Sequence, residues 1–359
     1  MLHIAIICKT FLKGGAEKQA LILSKLLTEK KIDVCLINWY RDKVDPENLK
    51  YIEDNSFKYF ALKGSLLKKF FHFLKIIRDE RISVVLSYLT LSNFVSGVSK
   101  LFLRKIITIG GIRNEKLPFY KFLFEKWIHN KLNDATVFNN FSAKNKFIKR
   151  GFKSDKIFVI HNAIELAPMI INTKAPKYEI RIITVSRFVK QKDFRTALNS
   201  FKNLIDRCEN KPLSYYIVGY GPLEQEIRSL AEDLKILNRV RILINPPNIP
   251  EILKDCDIFL STSLFEGLSN SIMEAMVAGL PVVATDVGDN KYLIKDGFNG
   301  YLVPSKGINQ IVEKLEYLSE SEDIRREFGN NSRIKIGNDF SQEKLLKNYL
   351  NLFSELHQS

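Results

Sequence analysis

The segment Ser263-Leu264-Phe265-Glu266-Gly267-Leu268-Ser269-Asn270-Ser271-Ile272-Met273-Glu274-Ala275-Met276 sets two carboxylates around a small, polar, glycine-bearing stretch. An apolar run, 258–261, leads into it. A helix is predicted to start at Asn270 or Ser271, both good N-cap types. Gly279 follows as its C-cap, and Pro281 opens the next strand. A helix start exposes free backbone N–H groups and the positive end of the dipole, so Leu268, Ser269, Asn270 and Ser271 can hold a diphosphate. Glu266, at the strand's exit, can face a sugar. Glu274, about one turn into the helix, can accept hydrogen bonds from ribose hydroxyls. A capped helix carrying surface glutamates fits the same spacing.

Arg187-Phe188-Val189-Lys190-Gln191-Lys192 follows a second strand-like run, 181–186. Arg187 offers a bidentate fork and Lys192 a point charge, and together they can neutralise a departing phosphate without a metal. A solvated basic loop is the alternative. Gly14-Gly15-Ala16-Glu17 follows the first strand, and paired glycines let a ligand approach backbone N–H groups closely. Gly219-Tyr220-Gly221-Pro222 is a similar turn after the run 214–218. Neither G-x-G-x-x-G nor G-x-x-x-x-G-K-[ST] occurs, so no dinucleotide cofactor and no Walker-type loop is indicated.

These segments need elements to position them. Strands are predicted at 3–8, 34–38, 83–87, 106–109, 135–138 and 157–160, then at 181–186, 214–218, 240–244, 258–261 and 281–285. Helical spacing lies between them, at 16–29, 66–78, 119–132, 194–208, 223–234, 249–254 and 271–278 among others. This rhythm predicts parallel sheets covered by helices on both faces. It breaks at 161–180, which carries Pro168 and Pro176 and is read as the linker. Three parts follow: a first domain at 1–170, a second at 171–340, and a helix at 341–359 that packs back on the first domain. The expected fold is α/β, with two Rossmann-like, doubly wound parallel-sheet domains facing a central cleft. Ligands in such sheets bind beyond the carboxyl ends of the strands.

Charge is distributed unevenly. The chain carries +15, and residues 1–170 hold 30 Lys and Arg against 15 Asp and Glu, whereas residues 171–359 hold 25 of each. A basic half attracts phosphates, an anionic membrane or nucleic acid. Two basic, aromatic helices lie in it, 66–78 and 119–132, which can rest on an anionic membrane or simply pack on the sheet. Nucleic acid is disfavoured because the excess is mostly Lys and the aromatics fall at helical core spacing. No uninterrupted apolar stretch reaches the length of a membrane span, the start lacks the pattern of a signal peptide, and the four cysteines sit apart among apolar residues. A cytoplasmic protein, peripheral on the inner face of the membrane, is expected. Asp255-Cys256-Asp257 spells D-x-D but precedes its strand, at the wrong end for a ligand site. The five histidines lack ligand spacing, so no metal is expected.

Order and spacing together resemble the retaining glycosyltransferases of family four, which have the GT-B fold. The resemblance covers most of the chain. Glu266 and Glu274 match the family's E-x7-E motif, Arg187 and Lys192 its basic pair, Gly219 to Pro222 its G-x-G-P-like turn, and Gly14 to Glu17 its N-terminal glycine loop. Gly111-Ile112-Arg113-Asn114-Glu115 resembles a loop that relatives place near the reacting centre. The resemblance implies a UDP- or GDP-sugar donor, with Arg187 and Lys192 on its diphosphate, Glu274 on its ribose and Glu266 on the transferred sugar. It implies transfer with retention and no metal, to a glycan or lipid-linked acceptor, with 1–170 as the acceptor-binding domain and 171–340 as the donor-binding domain. Two departures, Ala163 where relatives often have Gly and Asp289 where they often have a second Gly, bear on the sugar pocket. A nucleotide-sugar epimerase on the same fold is the alternative enzyme class, and a basic nucleic-acid-binding protein the alternative outside enzymes.

Overall fold

A computed structural model describes residues 2–113, 117–164 and 179–358. The chain forms two units, one of Met1–Ala163 with Phe340–Ser359 and the other of Ile164–Asp339. Most of the predicted linker, along with Asn114, Glu115 and Glu165, lies outside the described residues.

In the first unit seven strands form one sheet: β1 (His3–Cys8), β2 (Asp33–Asn38), β3 (Lys58–Ala61), β4 (Val84–Tyr88), β5 (Ile107–Ile112), β6 (Ala135–Phe138) and β7 (Ile157–Val159). Their order is β3-β2-β1-β4-β5-β6-β7, and every pairing is parallel. Helices α1 (Gly15–Glu29), α2 (Pro46–Asp54), α3 (Leu66–Asp79), α4 (Leu89–Ser99), α5 (Phe119–Lys131) and α6 (Phe141–Lys149) connect them. Strands such as HIAIIC and VVLSY read as unbroken apolar runs because both faces are covered. Ile4, Ile6 and Leu86 point to one core, Ala5, Ile7 and Val85 to the other. Polar residues set the helix starts: the side chains of Asp45, Ser65 and Asn140 cap α2, α3 and α6.

The second unit holds β8 (Ile180–Arg187), β9 (Leu213–Tyr220), β10 (Val240–Ile244), β11 (Ile258–Ser261), β12 (Val282–Thr285) and β13 (Gly300–Val303), in the order β10-β9-β8-β11-β12-β13. All pair in parallel. Its helices are α7 (Phe194–Arg207), α8 (Glu224–Asp233), α9 (Ile249–Lys254), α10 (Asn270–Ala278), α11 (Asn290–Leu293), α12 (Ile308–Glu320) and α13 (Glu322–Phe340). The last helix, α14 (Gln342–Gln358), packs on α1 in the first unit, where Leu345, Leu346, Tyr349, Leu352 and Phe353 join the core with Ala20, Leu23 and Leu27. Each unit is thus a doubly wound, Rossmann-like parallel sheet.

The structure corrects three local expectations. The edge strands β3 and β13 were absent from the sequence reading. They are four residues each, too short to show a period. Gly111 and Ile112 are the last residues of β5 and not loop, since both pair with β6. Helix α10 starts at Asn270, one of the two expected positions, but its N-cap residue is Ser269 and not Asn270 or Ser271.

Candidate active site

The strand order of the second unit reverses between β8 and β11, and a crevice opens beyond the carboxyl ends of strands at such a switch point. Arg187 ends β8, and Ser261 ends β11. The two loops that leave these strands are joined by four hydrogen bonds. Leu264 N donates to Gln191 O at 2.8 Å, and Gln191 Nε2 donates to Phe265 O at 2.7 Å. Thr262 Oγ1 donates to Lys192 O at 2.9 Å and to Asp193 O at 3.1 Å. Asp193, at φ +46°, turns the chain into α7 and caps it by accepting from Thr196 N (3.3 Å) and Thr196 Oγ1 (2.7 Å).

This stitching brings two of the predicted residues together. The Lys192 ammonium pairs with the Glu266 carboxylate, their side chains only 13% and 10% exposed. Ser263 Oγ also donates to Glu266 Oε1, at 2.7 Å, and Thr285 Oγ1 at the end of β12 donates to Ser263 O at 2.6 Å. Gly288 supports the same point from below. It has φ +59°, and a Cβ there would lie 2.0 Å from Glu266 O. Asp289, the departure next to it, is fully buried, and its N–H donates to Gly267 O at 3.3 Å.

The other predicted donor residues lie on the ends of β8 and β9 and at the start of α10. Arg187 is exposed, and its guanidinium makes no hydrogen bond or ion pair with the described residues. Leu268 and Ser269 are buried, Ser271 is half-buried and Asn270 is exposed, and α10 begins there without a side-chain cap, which leaves its first N–H groups for a ligand. Glu274 lies exposed one turn further on. Gly219 is paired with Ser186, the residue before Arg187: at φ +151°, a Cβ on it would meet Ser186 O at 1.8 Å. Phe188 N donates to Tyr220 O at 2.7 Å, which fixes the glycine turn against the basic loop.

In the first unit the order reverses between β1 and β4. Gly14 is the extended N-cap residue of α1 and Gly15 its first residue, with open space where a Cβ would stand on Gly15. The Glu17 side chain folds back over Gly14 and accepts a long hydrogen bond from Thr10 Oγ1 at 3.5 Å. Burial pushes the Glu17 carboxyl above its ordinary value, and a backbone N–H and Thr10 offset this in part. Arg113 follows β5. It donates from Nη1 to Asn162 Oδ1 and from Nη2 to Tyr349 OH, each at 3.2 Å, and its guanidinium lies 4.9 Å from the centre of the Tyr88 ring. Burial drives the Cys8 thiol at the end of β1 well up; the Glu17 charge adds to this and the Arg113 charge opposes it, so both side chains lie within electrostatic reach of one strand end. Asn114 lies outside the described residues. That Tyr88, Asn162 and Tyr349 meet Arg113 was missed in the sequence, because Asn162 was read only as the start of a family-like run and Tyr349 only as part of the apolar face of the last helix.

Among the described residues no group of three or more His, Cys, Asp or Glu side chains could hold a metal ion, and no helix is long and apolar enough to cross a membrane. Asp257 of the D-x-D run accepts from Arg181 N at 2.9 Å, at the amino-terminal end of β11. The helices α3 and α5 expose an unusual set of apolar side chains: Leu66, Leu67 and Phe71 on α3; Phe119, Tyr120, Leu123, Phe124 and Trp127 on α5. Phe70 packs on Phe102 after α4, and Phe94 of α4 packs on Phe124, which link the helices into one surface.

Residues 13–167 match the family model described as Glycosyltransferase Family 4, and residues 169–335 match Glycosyl transferases group 1. The fold is that of GT-B glycosyltransferases, and each half of the chain matches a glycosyltransferase family model. Among curated relatives, the chain is 29% identical to the poly(ribitol-phosphate) alpha-N-acetylglucosaminyltransferase of Staphylococcus aureus, over 56% of this chain and 47% of that one. It is 24% identical, over 99% of both chains, to the GalNAc-alpha-(1->4)-GalNAc-alpha-(1->3)-diNAcBac-PP-undecaprenol alpha-1,4-N-acetyl-D-galactosaminyltransferase of Campylobacter jejuni. Against most of the curated relatives it matches, the chain spans about half of the relative's length. A crystal structure of Anabaena HepE in complex with UDP superposes with a TM-score of 0.82 over 99% of this chain and 100% of that one, at 16% identity.

Proposed function

We propose that the chain is a retaining glycosyltransferase that moves a sugar from a UDP-sugar to a lipid-linked saccharide in the synthesis of a cell-surface polysaccharide or glycan. The observation that carries the donor half is the stitched switch point of the second unit. Arg187, Lys192 and the uncapped start of α10 supply cations and N–H groups, with the Glu266 carboxylate fixed among them. In this reading Arg187, Lys192 and the backbone at 268–271 hold the diphosphate. Glu274 accepts the ribose hydroxyls, and Glu266 faces the transferred sugar. Charge develops on the departing diphosphate as the glycosidic bond breaks, and fixed donors aimed at it lower the barrier. The leaving phosphate takes the acceptor's proton, so no separate general base is assigned.

The acceptor half rests on the first unit. Gly14, Glu17, Arg113 and Asn114 are assigned to its reacting face, and Gly15 beside them, with Gly219 of the second unit, to the donor. In this reading the enzyme rests on the anionic inner face of a membrane, and the exposed aromatic surface of α3 and α5, set among Lys68, Lys75, Lys121 and Lys126, supports it. The two relatives' names give acceptors that both carry phosphate, one a poly(ribitol-phosphate) and one an undecaprenol diphosphate.

A thermal-shift series with UDP, GDP, ADP and their common sugar conjugates tests the donor assignment on wild type and Arg187→Ala. A nucleotide at about 100 times its dissociation constant stabilises by about 2.7 kcal/mol, a shift of a few degrees. UDP and its conjugates are expected to raise the wild-type midpoint and to lose most of that effect in the variant. No shift with any nucleotide would remove the main support for the donor reading.

A further inference from the structure

A cavity of about 330 Å³ opens in the first unit, lined by Tyr40, Arg41, Asp42, Lys43, Leu62, Lys63, Gly64 and Lys69. It lies beyond the carboxyl ends of β2 and β3 and against the first turns of α3, on the sheet edge from which ligands are taken. Three ammonium groups converge on the Tyr40 ring: Lys69 at 4.3 Å, Lys43 at 5.5 Å and Lys9 at 5.9 Å from its centre. Lys63 and Arg41 add their charges at the rim.

The arrangement is costly without an anion. Lys69 is only 8% exposed, and neither it, Lys9 nor Lys43 forms an ion pair with a described carboxylate. Asp42, the acid on the rim, makes none with them either. Lys68 and Lys69 also occupy the amino-terminal turns of α3, where the helix dipole disfavours cations and where the helix carries no acidic residue. The ring face of Tyr40 offsets part of the repulsion, and a bound anion would offset the rest. The frame is already in place. Phe11 N donates to Lys43 O at 2.9 Å, Asp45 N to Phe11 O at 3.0 Å, Tyr40 N to Lys9 O at 3.2 Å and Leu62 N to Asn38 O at 3.0 Å, so the loops that carry the lysines are tied to β1 and β2.

We propose that Lys9, Lys43, Lys63 and Lys69, gathered around Tyr40, form a binding site for a phosphate or diphosphate group of the acceptor. The site itself follows from the first unit alone; its assignment to the acceptor rests on the transferase reading above. Three ammonium groups on one ring suit a group with several anionic oxygens, because a point-charge donor tolerates any oxygen geometry where a guanidinium fork selects one. Exposed Leu66, Leu67 and Phe71 on the same helix would receive an apolar chain attached to that phosphate.

The test is calorimetric titration of inorganic pyrophosphate into the full chain carrying Arg187→Ala, which removes the donor-site arginine. Pyrophosphate is expected to bind, and Lys43→Gln with Lys69→Met to weaken it about tenfold or more. Methionine keeps the buried stem of Lys69. Lys63→Gln and Lys9→Gln, both at exposed positions, give a second reading that does not touch the core, with a loss of a few-fold each expected. No pyrophosphate binding, or the same affinity in every lysine variant, overturns the proposal. Flotation with phosphatidylcholine vesicles, with and without phosphatidic acid, separates the sources of the phosphate. Lysine-dependent recruitment by phosphatidic acid assigns it to a lipid, and pyrophosphate binding without such recruitment assigns it to a soluble acceptor. UDP binding to the chain with Arg187 intact is read separately. Its failure would strike the donor reading while leaving the pyrophosphate result standing.

Discussion

Lys192 and Glu266, 74 residues apart in the chain, meet as a nearly buried ion pair at the switch point of the second sheet, with Ser263 hydrogen-bonded to the same carboxylate oxygen. A carboxylate held by an ammonium and a hydroxyl has a fixed direction, which a group that faces a sugar requires. Removing one partner leaves the other charge short of solvent. Lys192→Met and Glu266→Gln are each expected to destabilise the chain by about 3 kcal/mol. The double variant should lose less than the sum, with a coupling of about 1–3 kcal/mol in denaturant unfolding. Strictly additive losses would mean that the pair carries no net energy.

Gly219 and Gly15 belong to the two glycine turns, yet they should respond in opposite ways to alanine. A Cβ on Gly219 would press on Ser186 O, and its φ of +151° is strained for any side chain, whereas a Cβ on Gly15 meets nothing. Gly219→Ala is expected to cost about 1–3 kcal/mol or more from the backbone alone and to displace Arg187. Gly15→Ala should leave the thermal midpoint unchanged, so any loss of activity in it reports on ligand approach to the start of α1. Equal midpoints for the two variants would contradict the packing described.

His129 supplies a pH dependence. It is buried, with Nε2 donating to Lys153 O at 3.0 Å and Nδ1 accepting from Thr136 Oγ1 at 2.8 Å, an arrangement of the neutral ring. Burial lowers its pKa from 6.5 to about 4. Between these values the unfolded chain binds more protons than the folded one, so stability falls as pH falls through the window. The loss amounts to about 3 kcal/mol once the pH is below the folded value. Urea unfolding of wild type and His129→Gln should show wild type losing more stability between about pH 7 and about pH 4.5. A parallel pH response in the two proteins would exclude His129 as the source.

The aromatic surface makes a separate prediction. Phe119 and Tyr120 are each 69% exposed, so Phe119→Ser with Tyr120→Ser should leave the thermal midpoint unchanged. If α5 lies in a membrane interface, the same variant should float with anionic vesicles roughly tenfold less well. Undiminished flotation would move membrane contact elsewhere on the chain.

Much of the fold was legible because its signals are local. The runs that became β1, β4 and β11 are largely apolar, and the segment from Ile258 to Met276 announces strand, loop and helix by hydropathy, glycine and small polar residues. β3 and β13 escaped notice because their apolar runs, at 59–62 and 301–303, are too short to show a period and belong to partly exposed edge strands. The N-cap of α10 was displaced by one residue because Ser269, Asn270 and Ser271 are all capping types, so composition did not choose among them.

Read without a structure, the sequence determined which residues could do chemistry and on which kind of loop each would lie, since hydrophobic periodicity and capping act within a few residues. It also located the excess positive charge in the first half. Tertiary structure alone decided which side chains meet. It paired Lys192 with Glu266, clasped Arg113 with Tyr349 from 236 residues away, and drew Lys9, Lys43 and Lys69 onto the ring of Tyr40. Those meetings depend on strand order, and strand order is settled by the burial of both faces of each sheet at once, which no local stretch of sequence encodes.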